Sequence, residues 1–455
     1  MFGNSRSATR LPPAKNVATN LRGGTFARIL CAATLASLAV LLSAPRSFAA
    51  DPASVSSQTI RRLPMPKEAA LGGAAMSPGQ SAAVVVDDVP LVHTAQILPV
   101  NDDHDSAATA SLVPGDTPAQ IARVYERLEQ ILRSAGSSST QIVKLNVYVA
   151  NASVATAVRN DLAKRFAATA PAVCFVETTL PLAGALFAVD AVAAVAAPAK
   201  SESERSQNRV SGVTLAKHSA ITPSGPRVYV AGQAEKGDLR TATRKTLESL
   251  EATLKFLRLE WADVAQVKSF VTPMSAVRDA DDETRQFFST RKLPVPPLVW
   301  VEWQSGLPIE IELVAAAGRS EPTAASASRP TDLQFLTPPG MTTPTIYSRV
   351  TRTPAGSTIF VSGLYGTPHS SGGDQVERIF AQLKAVLAES GSDLEQLAKA
   401  TYYVSDNDAS AKLNELRPRY YNPKRPPAAS KAQVAGVALP GTTITLDMIA
   451  VPRAK

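Results

Sequence analysis

The sequence predicts an α+β chain built from three tandem copies of one domain. Two observations carry that prediction. A phrase of amphipathic helix, short turn and alternating strand stands at Gln120–Asn151, Ala242–Thr272 and Gln375–Asp406. Around each phrase runs the same order, strand–strand–helix–strand–helix–strand–strand, with a Leu-Pro pair before the closing strand. Spacing supports the repeat: Gln233 to Lys268 and Leu364 to Lys399 are both 35 residues. Gln96 to Lys144 is 48, and the excess falls in the polar stretch NDDHDSAATA that starts at Asn101. Insertions in loops with constant element spacing are what tandem domains require.

Taken in order, residues 1–50 hold six basic residues and no acid, and Ile29–Ser43 is an apolar run. Small residues at Ser47 to Ala50 then offer a cleavage site. This layout predicts a secretory signal peptide over 1–50 and an exported protein with no membrane association after cleavage; an uncleaved anchor is the alternative. Taking those six charges from the net +8 leaves +2, too little for a nucleic-acid partner. Residues 51–75 lack any sustained period and read as a flexible arm.

The first domain spans 76–197. Val84–Val86 and Leu91–His93 flank the turn-like Asp87–Pro90. Ile121, Val124, Leu128, Ile131 and Leu132 form one helical stripe, and Val143, Leu145, Val147 and Val149 alternate along a strand. A second helix and two strands complete it. A linker at 198–210 leads to the second domain, 211–317, with the stripe Leu247, Leu250, Leu254 and Leu257. After a linker at 318–331 the third domain, 332–452, repeats the pattern with Val376, Ile379, Phe380, Leu383, Val386 and Leu387.

Cys174 is the one cysteine outside the leader, so no intramolecular disulfide is expected in the mature chain. His93, His104, Asp102, Asp103 and Asp105 lack regular ligand spacing, and no phosphate-cradling loop or paired-cysteine motif occurs. Neither a metal nor another cofactor is expected.

Ala231-Gly232-Gln233, Ser362-Gly363-Leu364, the Leu-Pro pairs and the closing Ile309–Glu312 together resemble the Rid (formerly YjgF) family, whose members carry the label endoribonuclease L-PSP. The resemblance covers nearly all of residues 76–452, once per repeat. It implies chorismate-mutase-like domains, each a mixed sheet backed by two helices, that trimerise with clefts between neighbours. Three fused copies would then close into a monomeric intramolecular pseudo-trimer; three separately trimerising domains on flexible linkers are the alternative.

Rid enzymes hydrolyse enamines and imines derived from amino acids. The resemblance implies an Arg after Pro-Ala for the substrate carboxylate, with a Tyr, a Ser and a Glu about the imine. At the Arg position stand Val173, Leu298 and Ala429. The Glu is matched by Glu310, with Ala188 and Thr445 as counterparts; the Tyr by Tyr347, against Ser81 and His218; the Ser by Ser362, against Thr94 and Ala231. Glu310, Tyr347 and Ser362 are therefore the candidate catalytic residues. Lys431, on the strand face of the missing Arg, is the candidate substrate-binding residue or else a solvated lysine. Loss of all three Arg residues favours a small-molecule binder or scaffold with a ligand in an inter-domain cleft; an active deaminase or related hydrolase of altered substrate choice is the alternative.

Overall fold

The computed structural model describes residues 59–67, 76–101, 110–195, 213–317 and 332–454. The expected signal peptide and both expected linkers lie outside the described residues, as do His104 and its neighbouring aspartates. The first repeat comprises β1 (Ile60–Leu63), β2 (Ala83–Val86), β3 (Leu91–Thr94), α1 (Thr117–Ser134), β4 (Ile142–Val149), α2 (Ala152–Arg165), β5 (Ala172–Glu177) and β6 (Phe187–Ala194). The second runs through β7 (Thr214–Ala216), β8 (Ser219–Thr222), β9 (Arg227–Gln233), α3 (Leu239–Phe256), β10 (Val264–Val271), α4 (Val277–Thr290), β11 (Leu298–Glu302) and β12 (Ile309–Ala316). The third has β13 (Gln334–Leu336), β14 (Val350–Arg352), β15 (Thr358–Val361), α5 (Gly372–Glu389), β16 (Leu397–Val404), α6 (Asn407–Leu416), β17 (Ala428–Gln433) and β18 (Ile444–Ala450).

The long helices begin where a side chain supplies the missing acceptor. Asp116, Asp238 and Ser371 each accept the backbone N–H three residues on, capping α1, α3 and α5. The predicted stripes face inward: Leu128 and Leu132, Leu247 and Leu250, Leu383 and Leu387 are all buried. Each stripe packs on its own sheet and gives one helix-side core per repeat.

Each sheet has six strands, and two of them belong to another repeat. The orders are β5-β4-β6-β3-β8-β7, β11-β10-β12-β9-β14-β13 and β17-β16-β18-β15-β2-β1. The opening hairpin of repeat two thus completes the sheet of repeat one, that of repeat three completes repeat two, and that of repeat one completes repeat three. Backbone pairing fixes each loan, as in Val84↔Phe360, Val92↔Ile221 and Tyr229↔Thr351. Short crossovers between the exchanged strands converge on the buried Arg227, which donates from Nη2 to Val89 O at 3.0 Å and receives Thr353 N–H on its carbonyl at 2.8 Å.

Two expectations change here. The arm predicted over 51–75 contains β1, paired from Ile60↔Val86 to Leu63↔Ala83; four residues are too few to show a period. The conserved spacing to Lys268 is out of register by two. Lys144, Gln266 and Lys399 pair with Val192, Val314 and Ile449, whereas Lys268 pairs with Glu312 as Asn146 does with Asp190. A shift of two keeps a side chain on the same strand face, so alternation could not reveal it.

The other faces of the sheets form two cores shared by all three repeats. One gathers Val84, Leu91, Tyr229 and Phe360, the other Tyr148, Phe270, Trp303 and Tyr403. Between them lies a buried polar layer. Lys144 Nζ sits 3.0 Å from Asp447 Oδ1, and Lys399 Nζ sits 2.8 Å from Glu312 Oε1. Lys268 Nζ is 3.7 Å from Asp447 Oδ2, while Tyr148 donates to Asp190 at 2.6 Å. Burial, helped by Arg227, holds the His93 pKa down at about 3, so it adds no charge to this layer at neutral pH. No helix among the described residues is long and apolar enough to cross a membrane.

Candidate functional site

Where repeats meet, the edge strand β5, β11 or β17 of one lies beside the turn after β15, β3 or β9 of another. Backbone contacts define structural equivalence: Ala95, Ala231 and Ser362 donate to His218, Arg349 and Ala82 carbonyls at 2.8–2.9 Å. The counterpart of Ser362 in repeat one is therefore Ala95, not Thr94. In the same way Ser81 and Ser348 both bridge to the edge strand, at Ala172 and Ala428. Tyr347 thus corresponds to Gln80 rather than Ser81. In repeat two a two-residue turn, Lys217-His218, joins β7 to β8, and Tyr347 has no counterpart.

The cleft between repeats three and one is filled. Ser362 Oγ accepts from Val173 N at 2.7 Å and donates to Ser81 O at 2.6 Å. The hydroxyl is fully buried and committed at both ends, which holds β15 to β5. Arg159 stacks 4.2 Å over the Phe175 ring and donates to Ala438 O at 2.7 Å. Tyr365 occupies the remaining space beside Arg159 and Thr445; burial pushes its pKa up to about 12.

The cleft between repeats two and three holds Glu310. Its carboxylate lies against the Gly232 backbone, where a Cβ would come within 2.0 Å of Oε1. Gly232 N–H donates to Ser430 Oγ at 3.0 Å, and Ser430 in turn bonds to Glu310. Burial and then the nearby Glu312 charge raise the Glu310 pKa to about 7, against the opposing Ser430 bond. Lys431, one residue on, points to the opposite strand face and donates to Ser410 Oγ at 2.9 Å and Asn414 Oδ1 at 3.3 Å on α6. Burial lowers its pKa, and Arg417 adds to that. Tyr347 packs at the edge of the cores with the Arg349 guanidinium 5.3 Å from its ring.

Between repeats one and two the cleft is open, with a cavity of about 250 Å³. Gln96 anchors its rim: the backbone N–H donates to Leu298 O at 2.9 Å, and Nε2 to Trp300 O at 3.0 Å. Arg127, Lys217, His218, Asp281 and Arg285 line it together with Trp300. Ala188 stands at the Glu310 position, so this cleft has no carboxyl there. The sequence reading gave no role to Arg127, Lys217 or Arg285. A usable signal was the shortness of the segment between Leu215 and Ala220 beside its counterparts in the other repeats.

The four candidate residues do not form one constellation. Glu310 lies in one cleft, Ser362 is spent in another, Lys431 is bonded to α6 of its own repeat, and Tyr347 packs at the edge of the cores.

Three α+β repeats, each a mixed sheet backed by two helices with a cleft at its edge strand, define the class. The chain belongs to the endoribonuclease L-PSP family, also called YjgF or Rid: the family model matches at 77–195, 211–317 and 341–452. Protein DfrA of Myxococcus xanthus is 37% identical over 113 residues, covering 23% of this chain and 84% of that protein. A RutC family protein of Pyrococcus abyssi is 33% identical over 78 residues, 16% of this chain and 61% of its own. Among solved structures, a YjgF family member from Neisseria meningitidis is 25% identical with a TM-score of 0.21, covering 27% of this chain and 98% of its own.

Proposed function

We propose that the protein binds a small organic molecule between repeats and has given up the imine hydrolysis of its relatives. The observation that supports this best is the scattering of the chemistry. The candidate acid–base group Glu310, the hydroxyl of Ser362 and the open cavity occupy three different clefts. Imine hydrolysis needs a carboxylate anchor and a water-orienting group within reach of one substrate. The test follows semicarbazone formation from imines generated by an amino-acid oxidase. The expected result is no change in rate on adding the mature protein, across neutral and acidic imines; acceleration overturns this reading.

One observation favours a second reading, hydrolysis at Glu310. A carboxyl with a pKa near 7 exchanges protons readily at neutral pH, which suits general acid–base work. Acceleration lost in Glu310→Gln would install that reading.

The proposal also takes the mature chain as a monomeric pseudo-trimer, supported by the circular loan of hairpins, and as an exported protein, supported by the sequence of residues 1–50. Light scattering should return the mass of one chain, and three times that mass refutes closure. N-terminal sequencing of exported protein should begin near Asp51.

A further inference from the structure

We propose that Lys431 is a reactive amine that captures anionic carbonyl compounds as an imine, in the polar cluster between β17 and α6. The cluster lies within repeat three, so this inference does not depend on the reading of the clefts between repeats.

The position is unusual for a lysine. Along the edge strands, Phe175, Trp300 and Lys431 stand opposite Val147, Ser269 and Tyr402. Phe175 and Trp300 are buried core residues, whereas repeat three spends the same place on a half-buried amine. Taking an ammonium out of water is costly unless a counter-charge offsets it, and none does here. Among the described residues, Lys431 Nζ bonds to two neutral partners, Ser410 Oγ at 2.9 Å and Asn414 Oδ1 at 3.3 Å. The acids of α6 and its cap are engaged elsewhere. Asp406 and Asp408 each accept at 2.7 Å, from Ala409 N–H and Gly372 N–H, and Glu415 Oε2 lies 2.9 Å from Lys412 Nζ. Neither β16 nor β17 contains an acid.

What stands close instead is a second cation. Arg417, at the C-terminal end of α6, is buried, and its guanidinium lies 5.3 Å from the ring centroid of Tyr402, the strand neighbour of Lys431. The Tyr402 and Tyr421 hydroxyls share a hydrogen bond. Burial pushes the Tyr402 pKa up to about 12 and that of Tyr421 well up too, so neither is an anion at neutral pH. A lysine that is desolvated and set beside another cation keeps more of its amine unprotonated, which makes it a nucleophile. Burial and then the Arg417 charge shift Lys431 in that direction. The Nζ lone pair then attacks the carbonyl carbon, and the carbonyl π pair moves onto oxygen. Nitrogen gives up two protons, oxygen takes up two and leaves as water, and a C=N bond remains. Ser410 Oγ, already in bonding reach of Nζ, is placed to pass a proton. No oxidant or reductant enters. Two cations without an acid favour a carbonyl compound that carries its own negative charge, such as an oxo acid.

Reductive trapping on the mature chain tests this. Glyoxylate with cyanoborohydride at neutral pH fixes each imine as a secondary amine, and peptide mass mapping reads the rate at each lysine. Lys431 should be labelled at least tenfold faster than the exposed Lys384 and Lys424. With propanal, an uncharged aldehyde, that ratio should be smaller. Ser410→Asp sets a carboxylate beside Nζ and should slow labelling of Lys431 at least tenfold, whereas the uncharged Ser410→Asn, of the same size, should not. Labelling of Lys431 no faster than that of Lys384 and Lys424 overturns the assignment in the unaltered chain, whatever the variants do. Equal slowing by Asp and Asn overturns the argument from charge, and an equal ratio for propanal overturns the preference for anions.

Discussion

Replacing Glu310 by Gln should stabilise the protein in a strictly pH-dependent way. The Glu310 pKa rises from 4.5 to about 7 because burial and the Glu312 charge disfavour ionisation. The folded protein therefore binds this proton more tightly than the unfolded chain does. Stability should be unaffected by the group below about pH 4.5, fall as pH rises from there towards 7, and stay low above it. At about 1.4 kcal/mol per pH unit, that rise corresponds to about 3 kcal/mol. Gln keeps the shape beside Gly232, still accepts from Ser430 and carries no charge. Guanidinium denaturation of wild type and Glu310→Gln at pH 4 and pH 8, followed by circular dichroism, measures the difference. The two proteins should match at pH 4, and the variant should be more stable by about 2–3 kcal/mol at pH 8. A variant less stable than wild type at pH 8, or a gap independent of pH, would refute the argument that ionised Glu310 is held under strain.

Other outcomes follow from the same geometry. Lys399→Met leaves Glu312 buried without its 2.8 Å partner and should cost about 3–5 kcal/mol in denaturant titration, whereas Lys399→Met/Glu312→Leu should recover most of it. Gly232→Ala places a methyl 2.0 Å from Glu310 Oε1, so it should lower the melting temperature, and Gly232→Ala/Glu310→Ala should restore part of the loss. Ser362→Ala strips the partners from Val173 N and Ser81 O and should destabilise by about 1–3 kcal/mol in the same titration. A chain starting after Leu63, lacking β1, should melt below one starting at Asp51.

Much of the fold was legible because packing repeats itself. The stripes on α1, α3 and α5 and the alternation along β4, β10 and β16 are written three times, and each copy checks the others. The exchange of hairpins was not legible. A crossover such as Asp87–Pro90 reads as a local turn whether its two strands share a sheet or part company. The lysine register escaped for a related reason, since Gln266 and Lys268 lie on one face of β10. In the clefts, Glu310 and the three lost Arg positions could be found because the flanking motifs fix them. Ser430, Arg159 and Tyr365 could not, since each reaches its place in a cleft through a contact with another repeat. The cavity of repeat two was hidden in a deletion, and missing residues leave no motif to read.

The circular loan of hairpins sets an order of events on a chain made from its N-terminus. Among the described strands the β1–β2 hairpin is made first, yet the strand it pairs with beyond itself, β15, comes some 270 residues later, as Val86↔Thr358 shows. Until the third repeat arrives, β2 presents an unpaired apolar edge, a known hazard for misassociation. The second and third hairpins face no such delay, because the sheets they complete have already been synthesised. The earliest of the described strands are thus the last to find their place, and the sheet they complete waits for the third repeat.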